Sequence, residues 1–139
     1  KKYGVFNSSE MLSRYEVFME EYCKKVHIET ALALNISKTI IMPAAEKYLS
    51  QLAATAKNVA EAKFGKNKAL EAKGKLINSL VESLGAANEK LEALVVANAE
   101  PLKKLAAMGD VRTIVDKLEV EVDDAQWPLP KYSELLFIY

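Results

Sequence analysis

Cys23 and His27 stand four residues apart, a spacing that puts a thiol and an imidazole on one face of a helix, where both can ligate zinc. They supply two ligands, and the chain holds no second Cys or His. A structural zinc takes four. The expected state is a packed thiol and a partly exposed imidazole, and the same scarcity argues against a Cys–His nucleophile. The run GKNKALEAKGK, residues 65–75, gathers lysines and two glycines. It lacks the Ser or Thr that must follow Gly-Lys in a phosphate-cradling loop, so it reads as a solvated turn and the first turn of a helix. Glu20, Glu21, Glu119, Glu121, Asp123 and Asp124 are carboxylates that would need a cleft to act as acid and base, and a wet helix face offers none. No catalytic, cofactor-binding or metal residue is assigned.

The residues that do stand out are apolar. Residues 123–137, DDAQWPLPKYSELLF, place a Trp, two prolines, a Tyr and a Leu-Leu-Phe cluster close to the C-terminus of an otherwise Ala-rich, charged chain. Contiguous exposed groups of this kind mark a docking surface. Residues 28–42, IETALALNISKTIIM, carry apolar groups on nearly every side of a helix, including Ile36, Ile40 and Ile41. A helix apolar all round is buried all round, and two partner helices leave part of it bare.

The elements that must position these groups are helices. The chain has 139 residues, half of them hydrophobic, with 5 Gly and 4 Pro, which fits one domain and long helices. Its 19 basic and 19 acidic residues cancel, so nothing steers it to a nucleic-acid backbone. No apolar stretch is long enough for a membrane span or a signal peptide, and a single cysteine fits a reducing compartment, so a cytoplasmic site is expected. The chain opens on Lys1, as a piece of something longer would.

Asn7 followed by Glu10 is a capping box. From there the spacing predicts one long helix over residues 8–63, bent at Pro43. Phe64-Gly65-Lys66-Asn67 is a turn. A heptad follows over 67–97, with Leu70, Ile77, Leu84, Leu91 and Asn98 every seven residues and Leu80, Ala87 and Leu94 between them. Pro101 opens a third helix, 100–124, carrying Leu102, Leu105, Met108, Val111, Val115, Leu118 and Val122. Short connections make consecutive helices antiparallel. The expected fold is all-α: a lead-in over 1–7, a long antiparallel three-helix bundle or coiled-coil arm over 8–125, and an extended docking tail over 126–139. This arrangement is expected to bring the end of the third helix beside the beginning of the first.

Two stretches carry a resemblance. Residues 13–48, SRYEVFMEEYCKKVHIETALALNISKTIIMPAAEKY, look like the start of the C-terminal region of type III glutamine synthetases, and WPLPKYSELLF, residues 127–137, is similar to that family's ending. Tyr15, Glu16, Tyr22 and Cys23, with Trp127, Pro128, Pro130, Tyr132, Leu135, Leu136 and Phe137, match its motifs. Ser133 and Glu134 depart from it, standing where a Gly-Asp pair is expected, and residues 49–124 match in helical character alone.

The resemblance implies a parent enzyme that joins ammonia to glutamate with ATP and divalent Mg²⁺ or Mn²⁺, forming a homo-oligomer. It implies that the catalytic groups lie before Lys1 and that this segment is non-catalytic. Its expected role is docking on the catalytic domain of the same polypeptide and on neighbouring subunits. The expected interface is Tyr15, Tyr22, Ile36, Ile40, Ile41, Trp127, Pro128, Pro130, Tyr132, Leu135, Leu136 and Phe137, with Trp127 and the Leu136-Phe137 pair as anchors. The alternative from the residues alone is a free-standing helical scaffold or adaptor that binds a protein through the 28–42 patch.

Overall fold

A computed structural model describes residues 4–130 and 132–136, apart from the side chains of residues 132 and 133. The described residues are helical with no strand. Helix α1 (Ser8–Ile36) begins at the capping box: Asn7 Oδ1 accepts from the Glu10 amide at 2.8 Å, and the Asn7 amide donates to Glu10 Oε2 at 2.8 Å. This satisfies two of the polar groups a helix start exposes. A π-helical turn, Ser37–Ile41, joins α1 to α2 (Met42–Glu61) without leaving helical backbone angles. The first segment is thus helical from Ser8 to Glu61, roughly 80 Å at the usual rise. The π turn sits directly before Pro43, whose ring crowds the preceding turn and whose nitrogen cannot donate; the wider turn accommodates both.

Helix α3 (Lys68–Val96) is capped by Asn67, whose Oδ1 accepts from the Leu70 amide at 3.1 Å, and it runs unbroken through Gly74 and Gly85. It ends in a Schellman turn: Ala99 N donates to Leu94 O and Asn98 N to Val95 O, with Asn98 at φ +45°. Helix α4 (Pro101–Glu121) starts at once, with Pro101 in its first turn. A 3-10 turn, Asp124–Gln126, and a short α5 (Tyr132–Leu136) are the last elements among the described residues.

The core runs along one seam. Ile77, Leu80, Leu84 and Leu91 of α3 meet Leu34, Ile41 and Ala45 of the first segment and Ala107, Val111 and Leu118 of α4. The seam departs from the heptad at one step: Asn88, not Ala87, is buried. The cause lies across the interface, where Ser37 of the π turn donates from Oγ to Asn88 Oδ1 at 2.8 Å. A buried polar pair of this kind fixes which residues face each other.

The order is up, down, up, which makes the first and third segments parallel. The expectation that the end of the third helix lies beside the beginning of the first is therefore wrong. Helix α4 starts beside His27, and the turn after it reaches Gln51 of α2, where the Gln126 and Gln51 side chains hydrogen-bond. The tail also departs from full extension, in the 3-10 turn at its start and again in α5. Asp123 caps the 3-10 turn, the Trp127 amide donates back to Asp123 O at 3.0 Å, and Trp127, 8% exposed, joins Leu118 and Val122 in the core.

Candidate functional site

The buried stripe of the first segment is Val26, Thr30, Leu34, Ser37, Ile41 and Ala45, at steps of three and four. The same stripe continues toward the N-terminus as Tyr22, Met19, Tyr15 and Leu12, again at steps of three and four, and there it is bare. Val26 is 4% exposed, Tyr22 41% and Tyr15 62%. The reason is length. The α3–α4 turn bonds across to α1 at the level of His27, through Lys104, and no described residue covers the helix before that point. Every described residue before Val26 is exposed, and the bare part of α1, residues 8–25, spans roughly 27 Å.

A second uncovered surface lies along α4. Ile36 and Ile41 face Leu105, Met108 and Val115 across an apolar trough between the first segment and α4. Val115 and Arg112 also border a hollow closed by Trp127, Leu129 and Leu135, so the trough continues into the tail.

The residues singled out from the sequence divide accordingly. Tyr15 and Tyr22 lie on the projecting half of α1. Ile36 borders the trough half-buried, Ile40 is 39% exposed, and Ile41 is buried in the core. Pro128 and Pro130 are exposed, as are Leu135 and Leu136 of α5. Trp127 has its seat in the bundle, so this indole is already covered by its own chain. The Tyr132 side chain and Phe137 lie outside the described residues. Leu12, Met19 and Met108 belong to the uncovered surface without having been singled out. The extended seam was the available signal for the first two, and only the position of α1 beside α4 exposes the third.

The polar candidates make no reaction centre. Cys23 is exposed. His27 Nδ1 meets the Lys104 ammonium at 3.1 Å. Lys24 and Lys25 hydrogen-bond Glu20 and Glu21, which holds both carboxyls below their ordinary value, and Glu21 raises Lys25 in turn. No three His, Cys, Asp or Glu among the described residues converge on a point that suits a metal ion, so the donor set in hand does not fit the divalent ion that the resemblance implies for the parent. No described helix is long and apolar enough to cross a membrane.

Residues 1–60 match the family described as glutamine synthetase C-terminal domain. Over 96% of its length the chain is 30% identical to the glutamine synthetase of Bacteroides fragilis, covering 20% of that protein. It is 28% identical to the glutamine synthetase of Butyrivibrio fibrisolvens over 98% of this chain and 21% of the relative. It is 28% identical to the type-3 glutamine synthetase of Dictyostelium discoideum over 97% of this chain and 20% of that one. No solved structure matches the chain. The matches fall on the C-terminal part of these relatives, so the chain belongs with the C-terminal domains of glutamine synthetases. Its likeness to the type III members runs from end to end. It spans about a fifth of the length of the relatives it matches.

Proposed function

We propose that this chain is a non-catalytic helical domain of a type III glutamine synthetase, that it docks on the catalytic part of the same polypeptide, and that it supports assembly of neighbouring subunits. The parent activity is ATP-dependent ligation of ammonia to glutamate with a divalent metal, in the cytoplasm. The described residues supply no ligand set for that chemistry, and no step of it is assigned to them. The division is a lead-in over residues 1–7, a bundle over 8–125 and a docking tail over 126–139.

One observation carries the proposal. The seam that holds the bundle together continues for about 27 Å along α1 with no described residue covering it. Seam residues at Leu12, Tyr15, Met19 and Tyr22 have no use in the bundle, and an uncovered aromatic stripe of this length suits a partner surface. The occupant we assign is the polypeptide outside this chain, because the relatives are about five times as long. The α4 trough, with Ile36, Leu135 and Leu136 at its borders, and the exposed Pro128 and Pro130 extend the same surface.

The test is Tyr15→Ser with Tyr22→Ser in the full-length protein, read by light scattering and by ATP-dependent glutamine formation. The expected result is a smaller assembly with reduced activity, while the same changes leave the unfolding midpoint of the 139-residue chain in place. An unchanged assembly and activity would remove the docking role. A native polypeptide no heavier than this chain and inert in the assay would favour the adaptor reading.

A further inference from the structure

Lys104 is 2% exposed and heads the fully buried side chains of the bundle. Its ammonium donates to two neutral acceptors, His27 Nδ1 at 3.1 Å and Asn98 Oδ1 at 2.9 Å. No carboxylate among the described residues pairs with it. Removing an ammonium from water is costly unless it is paired with an anion or fully hydrogen-bonded, and buried charges are usually paired. Here the bundle supplies the cation and leaves out the anion.

The two acceptors point to where an anion would sit. A neutral imidazole that accepts at Nδ1 carries its proton on Nε2, and a carboxamide that accepts at Oδ1 keeps two N–H groups on Nδ2. Each residue therefore turns a donor away from Lys104, polarised by the charge behind it. His27 and Asn98 border one open cleft between α1 and the α3–α4 turn, with Lys24 and Glu20 at its rim. Neither His27 Nε2 nor Asn98 Nδ2 has another partner among the described residues. The acid in the cleft, Glu20, is held by Lys24. Lys104 and Lys24 against Glu20 leave two positive charges and one negative, a net of one positive. Asn98 occupies the left-handed position of a turn where glycine would serve equally well for the backbone, so its carboxamide is an addition the turn does not require.

We propose that this cleft is an oxyanion site. It takes one carboxylate or phosphate group, which accepts from His27 Nε2–H and Asn98 Nδ2–H, with the Lys104 charge one layer behind and Lys24 at the rim. The site stands where α1 leaves the bundle, so a bound oxyanion bridges α1, at the foot of its projecting half, to the α3–α4 turn. This does not depend on the docking role proposed above.

His27 is the only histidine in the chain, which makes its imidazole a clean reporter. Inorganic phosphate, then acetate, is titrated into the 139-residue chain at constant ionic strength. The readouts are the His27 ring resonances, the Asn98 side-chain amide and the thermal midpoint. The expected result is a saturable shift at both residues and a midpoint that rises with the anion. In Lys104→Met the affinity falls about tenfold or more, since a charge behind the donors is lost, while the midpoint without anion holds or rises. Asn98→Gly keeps the turn, removes one donor and weakens binding as well, so the test survives if Lys104→Met fails to fold. A Lys104→Met or Asn98→Gly chain that responds like the unaltered one, or an unaltered chain that shows no saturable response to either anion, overturns the site. The same titration on the full-length protein separates the sources. A response there makes the ligand a free oxyanion. A silent full-length protein whose midpoint drops with Lys104→Met makes it a carboxylate side chain from the polypeptide outside this chain.

Discussion

The two halves of α1 carry one apolar stripe in one register, yet the half after Val26 is sealed and the half before it is bare. Helix formation does not distinguish them: both have helical spacing, and the N-terminal half has the stronger start signal in its capping box. The difference is partner length. Helices α3 and α4 turn around near the level of His27, so the stripe outruns the described residues that cover it.

The sharpest way to break that comparison is to remove one large group from each side of the boundary. Trp127→Ala takes an indole from the sealed core and should cost about 3–5 kcal/mol. Tyr15→Ser, on the bare stripe, should change the stability of the 139-residue chain by less than about 0.5 kcal/mol. Urea unfolding of the two variants checks both values. Equal losses would mean that the projecting half of α1 is covered in solution by this chain or by a second copy of it.

A smaller effect sharpens the boundary from inside. Ser37→Ala removes the hydroxyl that donates to Asn88 Oδ1 and leaves a buried carboxamide whose Nδ2 already lacks a partner. The expected loss is about 1–3 kcal/mol, with amide exchange accelerating around the π turn and not on residues 8–25. Pairing it with Asn88→Leu should recover much of that loss, because both buried polar groups then go.

The smallest effect belongs to the bare half alone. Glu20 and Glu21 have carboxyls lowered by Lys24 and Lys25. A lowered carboxyl stabilises the folded form above its ordinary value of 4.5, and that contribution is lost as pH falls through the lowered value. Acidification below pH 4.5 should therefore loosen residues 8–25 slightly before the bundle responds. Amide exchange measured helix by helix would show it, and simultaneous loosening of α3 would contradict it.

Much of this molecule was legible in its residues. Asn7 with Glu10, Asn67 and Pro101 mark helix starts, and Ile77, Leu80, Leu84 and Leu91 mark the seam. Each rests on interactions within a few residues, where spacing and side-chain chemistry decide the outcome. The resemblance to type III glutamine synthetases rests on residue identity in the same way. What the sequence did not reveal depends on segments far apart in the chain. Asn88 replaces Ala87 in the seam because Ser37 faces it. Ile41 goes to the core while Ile40 stays at the surface because α3 packs against the Leu34, Ser37 and Ile41 side of that stretch. Trp127 folds back into the bundle, and α4 ends beside α2, because the third segment runs parallel to the first. Lys104 is buried because α1 and the α3–α4 turn close over it. Local spacing tells a helix which side is apolar; only the lengths and levels of its partners decide how much of that side is covered.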